Sequence, residues 1–286
     1  MAERVTICEV SPRDGLQNEP APVSAAEKIA LIDRLSQSGL SYIEAASFVS
    51  PRAVPAMADG AEVMAGIKRR NGVTYAALVP NLKGYAAARL ANADEVAVFA
   101  SASESFSARN INCTIAESLA RYREVCAAAS GDGIPVRGYV SCVVACPYEG
   151  VVEPDAVARV AEALFGMGCR EVSLGDTIGA ATPESTDRLL RHLVADVQPE
   201  KLAGHFHDTQ GCALSCIEVA LEHGVRVFDS SVAGAGGCPF APGAPGNVAT
   251  EAVCALMETK GFVTGVYPAA LAEASTFLRH LLGRGP

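Results

Sequence analysis

Eight short runs of β-branched and apolar residues alternate with eight helical patterns along 286 residues, and this alternation limits the fold more than any single motif. The strands read as Val5–Val10, Tyr42–Ala46, Val73–Leu78, Glu95–Phe99, Val136–Cys142, Glu171–Leu174, Leu202–His205 and Val227–Ser230. The helices read as Ala25–Gln37, Met57–Arg69, Leu82–Leu90, Ile115–Ala129, Asp155–Met167, Glu184–Asp196, Ala213–Glu222 and Val248–Lys260. A helix between two strands returns the chain to the same sheet edge, so the strands run parallel. Eight such units close most economically into a (β/α)8 TIM barrel, with the active site at the C-terminal ends of the strands. A doubly wound open sheet is the alternative, but no Gly-x-Gly-x-x-Gly follows the first strand. Local punctuation agrees: Ser24 before Glu27 reads as a capping box, Thr182-Pro183 as a cap with Pro at the first helical position, and Gly39, Gly168 and Gly224 as helix C-terminal glycines. One more amphipathic helix, Ala269–Leu282, forms a C-terminal extension over about residues 267–283, placed outside the barrel or against a partner. No linker divides the chain, so residues 1–286 are expected to form a single catalytic domain.

A formal net charge of −9 argues against a nucleic-acid groove or an anionic membrane as partner. Ten cysteines are scattered without a Cys-x-x-Cys spacing, so most are expected to be small buried hydrophobes in a reducing compartment. Glu3 and Arg4 lead straight into the first strand without signal-peptide character, and no apolar run reaches membrane-spanning length. A soluble, cytoplasmic protein is the expectation.

Polar residues just after each strand carry the chemistry of such a barrel. Two of the five histidines, His205 and His207, stand two residues apart where the seventh strand ends, so period-two alternation aims both rings at one face. Two imidazoles can hold one divalent ion, and a hard ion also needs oxygen donors. Asp14, after the first strand, is one candidate oxygen. Its neighbour Arg13 offers a fixed fork of donors for a carboxylate or a developing enolate. Glu44 lies in an otherwise apolar strand and needs a buried partner, for which Arg13 is the obvious one. Asp176, ending the sixth strand, is a proton-transfer group, an orienting acceptor or a helix cap. Ser231–Gly246 holds five glycines and three prolines, a backbone able to approach a ligand closely. Within it Cys238, flanked by Gly-Gly and Pro, is a loop cysteine, where nearby positive charge would favour a reactive thiolate. Asn247 caps the last helix of the repeat or supplies the second oxygen.

Six segments in order resemble the 3-hydroxy-3-methylglutaryl-CoA lyase family: Arg13-Asp14-Gly15-Leu16-Gln17-Asn18-Glu19, Ser47-Phe48-Val49-Ser50-Pro51, Arg137-Gly138-Tyr139-Val140-Ser141-Cys142, Ser173-Leu174-Gly175-Asp176-Thr177, His205-Phe206-His207-Asp208-Thr209 and Gly236-Gly237-Cys238-Pro239. The likeness runs from Val5 to about Gly265. It implies a metal-dependent lyase on a TIM barrel that cleaves an acyl-CoA, 3-hydroxy-3-methylglutaryl-CoA, into acetyl-CoA and acetoacetate. It implies Mg²⁺ or Mn²⁺ on Asp14, His205, His207 and Asn247, and functional roles for Arg13, Cys238, Asp176, His205, Glu44 and Glu251. Gln210, Ala235 and Ala252 stand where the family pattern has Tyr, Leu and Asp, which leaves room for a related 3-hydroxyacyl-CoA. A condensing synthase of the isopropylmalate or homocitrate type shares the Asp and His-x-His, but a Gly-Gly-Cys-Pro loop is not expected there. A homodimer through the C-terminal helix is compatible with this reading.

Overall fold

All eight expected strands form, and each pairs with the next until the last meets the first in a closed parallel barrel. They are β1 (Thr6–Glu9), β2 (Tyr42–Ser47), β3 (Thr74–Leu78), β4 (Glu95–Ser101), β5 (Val136–Ser141), β6 (Glu171–Asp176), β7 (Leu202–Phe206) and β8 (Val227–Ser230). This architecture comes from a computed structural model that describes residues 2–236 and 246–285. Outside the barrel lie α1 (Ala25–Leu35), α2 (Gly60–Gly66), α3 (Leu82–Leu90), α4 (Glu104–Ile111), α5 (Ile115–Asp132), α6 (Pro154–Gly166), α7 (Pro183–Leu193), α8 (Ala213–Glu222), α9 (Thr250–Thr259) and α10 (Pro268–Leu281). Among the described residues, no helix is long and apolar enough to cross a membrane.

Burial on both faces explains why the strands read as nearly continuous apolar runs: every residue of β2, β6 and β7 is buried. Among the charged exceptions, Arg137, Glu171 and Asp229 meet in the lumen. Arg137 on β5 reaches Asp229 on β8, two strands that are not neighbours, so the contact crosses the barrel interior. Helix ends follow their local chemistry. Glu27 N–H donates to Ser24 Oγ (3.4 Å) and Ser24 N–H to Glu27 Oε2 (2.8 Å), a capping box worth about 1 kcal/mol. Gly39, Gly168 and Gly224 take φ of 84°, 99° and 90° after their helices. α10 buries Leu271, Ala274 and Leu278 and packs on α1, where the Arg34 guanidinium lies 4.0 Å above the Phe277 ring.

Four local features differ from the sequence expectation. The helix expected over Met57–Arg69 is confined to Gly60–Gly66, because Pro55–Met57 forms a separate 3₁₀ turn and Ile67 is already extended. α4 is additional. It is short and mostly polar, buries Phe106 and Ser107, and is started by Ser103, which accepts the Phe106 N–H (3.1 Å). A small hairpin pairs Ala145–Cys146 with Gly150–Val151 beyond β5. Finally, α9 starts at Thr250 rather than Val248, because the residues before it are used at the barrel rim.

Candidate active site

After β1 the chain winds through a five-residue π-helical turn, Ser11–Gly15. Glu9, fully buried, fixes its base: the carboxylate accepts the N–H groups of Ser11 and Val232 (3.0 Å each) and the Thr250 hydroxyl (2.7 Å). Gly15 lets this turn sit against the segment after β8, since a Cβ there would stand 2.7 Å from Ser231 Oγ. The turn delivers Arg13 and Asp14 into a cavity of about 570 Å³ at the C-terminal rim. Arg13 donates Nε to Glu44 Oε2 and Nη1 to Asp14 Oδ1, both at 2.6 Å. The expected Arg13–Glu44 pair is therefore present, and it holds the guanidinium in one orientation.

His205 and His207 open onto the same cavity with ring centroids 5.4 Å apart. Each is held through Nδ1: His205 by Asp229 Oδ2 (3.0 Å), His207 by the carbonyl of Thr177 (2.9 Å). A carbonyl only accepts, so His207 carries its proton on Nδ1 and turns a bare Nε2 toward the cavity. That atom is buried with no hydrogen-bond partner. Asn247 arrives through the backbone. It forms an antiparallel bridge with His207, while Val248 N–H donates to the Phe206 carbonyl (3.1 Å). This pairing is why α9 begins late and why Asn247 does not cap it. The Asn247 amide donates Nδ2 to Asp14 Oδ2 (2.8 Å) and leaves a buried, unpartnered Oδ1. Gly236 closes this side at φ 106°; a Cβ there would meet Asn247 Nδ2 at 2.8 Å.

The electrostatics favour cation binding. Burial alone would raise Asp14, but Arg13 and the two imidazoles hold its carboxyl well below the usual range. Burial, reinforced by His205, brings His207 down to about 4, leaving it neutral with a free lone pair at neutral pH. His205 moves the other way: burial works against its charge, but the hydrogen bond to Asp229 and the charges of Asp229 and Asp14 outweigh it. Arg13 pays for burial and is still held far above its ordinary range by Glu44 and Asp14. One oxygen of Asp14 and one nitrogen of each histidine make a set lying within 4.8 Å of one another, with the buried Asn247 Oδ1 unpartnered. Unpartnered buried donors and acceptors cost about 1–3 kcal/mol each, and a hard divalent cation accommodates this mixed oxygen and imidazole set.

The remaining expected residues fall in different places. Asp176 is buried at the end of β6, and its carboxylate accepts the N–H groups of Ala180 (2.9 Å) and Ala181 (3.0 Å); burial pushes it up to about 6. That is the geometry of an orienting acceptor for the loop before α7. Glu251 opens α9 and accepts the Ala233 N–H with both oxygens (3.1 Å), pinning the turn after β8. Cys238 lies outside the described residues. Sequence reasoning passed over Glu9 and Asp229, although a lone carboxylate in each apolar strand was the available signal. Residues 4–278 match the HMGL-like family. The chain is 55% identical over 284 residues to the 3-hydroxy-3-isohexenylglutaryl-CoA/hydroxy-methylglutaryl-CoA lyase of Pseudomonas aeruginosa, covering 99% of this chain and 95% of that one. The crystal structure of the HMG-CoA lyase from Brucella melitensis matches with a TM-score of 0.98 and 58% identity, covering 99% of this chain and 100% of that one. An HMG-CoA lyase from Acinetobacter baumannii, in complex with coenzyme A and 3-methylmalate, matches at 0.93 and 41% identity, covering 98% and 92%. Barrel, donor set and near full-length similarity converge: this chain belongs to the HMGL-like family of divalent-metal-dependent enzymes.

Proposed function

We propose that this protein is a carbon–carbon lyase that cleaves 3-hydroxy-3-methylglutaryl-CoA to acetyl-CoA and acetoacetate. The observation carrying this reading is the convergence of the bare His207 Nε2 and Asn247 Oδ1 on Asp14, beside the clamped Arg13. Asp14, His205, His207 and Asn247 would hold Mg²⁺ or Mn²⁺. When bound, such a cation acidifies the substrate's tertiary hydroxyl and neutralises its carboxylate. Arg13, immobilised by Glu44, stabilises the enolate oxygen that forms as the C2–C3 bond breaks. A base takes the hydroxyl proton: Asp176, or His205 in a state where its Nε2 does not hold the cation. With the proton removed, the bond electrons pass to the acetyl-CoA enolate and acetoacetate is released. Cys238 is our candidate for returning a proton to the enolate carbon. Residues 1–286 act as one catalytic unit in this reading, in a reducing cytoplasm that suits nine described free thiols.

The test is to mix the purified protein with 3-hydroxy-3-methylglutaryl-CoA and Mg²⁺ or Mn²⁺ and to assay acetoacetate. Product that disappears with chelator and returns with metal supports the reading; no product with either metal sinks it. A second substrate is favoured by one observation. Leu78, Phe99, Phe106 and Tyr122 give the cavity an apolar wall, and the Tyr122 hydroxyl is already spent on the Phe99 carbonyl (2.8 Å). Such a wall suits a longer alkenyl group at C3, the substrate type in the name of the Pseudomonas aeruginosa relative. Comparing kcat/KM for the methyl and isohexenyl thioesters decides it.

A further inference from the structure

The two histidines that face the cavity are held from behind by different chemistry. His207 leans on a neutral backbone carbonyl, whereas His205 leans on a carboxylate that is itself tied into the barrel interior. His205 and Asp229 are register partners on adjacent strands, so their side chains enter the lumen side by side. Asp229 Oδ2 accepts from His205 Nδ1 (3.0 Å) and from Ser173 Oγ (2.7 Å), while Oδ1 accepts from Arg137 Nη2 (2.7 Å). Arg137, completely buried, is fixed in turn by Glu171 Oε1 (2.6 Å) and by the Tyr139 hydroxyl, to which it donates (2.7 Å). The Tyr139 ring meets His205 edge-on, with centroids 6.0 Å apart and planes at 86°. Three strands therefore converge on one imidazole nitrogen from the side away from the cavity.

A buried carboxylate facing Nδ1 fixes both the tautomer and the rotation of the ring, and it makes the opposite nitrogen a stronger donor. The opposite nitrogen here is Nε2, 3.8 Å from Asp14 Oδ2. We infer that Asp229, braced by Arg137 and Ser173, is a positioning residue that locks His205 with its proton on Nδ1 and its Nε2 aimed at the metal donor set. The inference rests on the reading of that set as a cation site. It gives the two imidazoles unequal parts, His205 as the preorganised, electron-rich ligand and His207 as the weaker one.

The experiment compares Mn²⁺ affinity of the full-length protein, by calorimetry or by electron paramagnetic resonance of free Mn²⁺, with that of Asp229→Asn and Glu95→Gln. Glu95 is a buried carboxylate bonded to Tyr42 and Arg170, away from the histidines, and controls for loss of a buried charge. Asp229→Asn is expected to weaken Mn²⁺ binding by about 10–100-fold, while Glu95→Gln changes it by less than about twofold. Unchanged affinity in Asp229→Asn, or equal weakening in both variants, overturns the inference. Should Asp229→Asn fail to fold, the unaltered metal-free protein decides. Its imidazole ¹⁵N–¹H spectrum at alkaline pH should show His205 protonated on Nδ1, and protonation on Nε2 refutes the assignment. Failure of the unaltered protein to bind Mn²⁺ removes the cation site itself, and this inference with it.

Discussion

The lumen of the barrel and its C-terminal rim are built from the same residue types, and they differ in what is left unpaired. In the lumen, Glu95 binds Tyr42 and Arg170, while Arg137 spans Glu171, Tyr139 and Asp229. At the rim, Asp14 and Arg13 are paired, yet His207 Nε2, Asn247 Oδ1 and Glu44 Oε1 are buried without partners. Burying a charge is tolerable when it is paired and hydrogen-bonded, and the lumen meets that condition with protein groups alone. The rim does not: three of its buried polar atoms have no protein partner. Charge in a barrel is thus not itself a sign of function; incomplete satisfaction around a cavity is.

Several measurements would break or sharpen this contrast. The largest effect should come from the rim ligands: His207→Ala is expected to lower kcat/KM by at least about 10³-fold and to abolish Mn²⁺ binding in calorimetry. Retained binding would show that the donor set is misread. Arg13→Gln should lower kcat by about 10²–10³-fold with a smaller change in KM, as loss of a donor to a developing oxyanion does. A change confined to KM would make Arg13 a substrate-binding group only. A lumen variant with no bond to either histidine should behave in the opposite way. Glu95→Gln is expected to cost about 1–3 kcal/mol of stability in urea unfolding while steady-state kinetics of the folded enzyme stay unchanged. Loss of turnover there would erase the distinction.

The effect confined to one part of the pH range should appear in the pH dependence of stability, through Glu9. Burial pushes its carboxyl from 4.5 up to about 7, against the lowering effect of hydrogen bonds from Ser11, Thr250 and Val232. The folded chain therefore holds this proton more tightly than the unfolded chain. Its contribution is fully present below pH 4.5 and is lost as pH rises through about 7. Glu9→Gln keeps a neutral acceptor in place. It should be more stable than the parent at about pH 8, by up to about 3 kcal/mol, and gain little near pH 4. Equal stability of the two proteins across that range would mean that Glu9 ionises freely.

Much of the molecule was legible beforehand. Strand and helix periods, Ser24 and Thr182 at helix starts and Gly39, Gly168 and Gly224 at helix ends are local signals, and the structure bears them out. So was the placement of Arg13, Asp14, Glu44, His205 and His207 at one rim, because closing eight parallel units brings every strand end to the same side. α4 escaped notice because a short polar helix has almost no apolar face to announce it. What local sequence could not decide was which distant groups meet inside the closed barrel. Arg137 and Asp229 are 92 residues apart and touch only across the lumen. Asn247 becomes a rim residue only because its backbone pairs with His207. The sequence by itself determined the eightfold repeat and the end of the barrel that carries the chemistry, since both follow from periodicity and chain direction. Tertiary structure decided which donors are satisfied and which are left open, because that depends on contacts made only once the barrel closes.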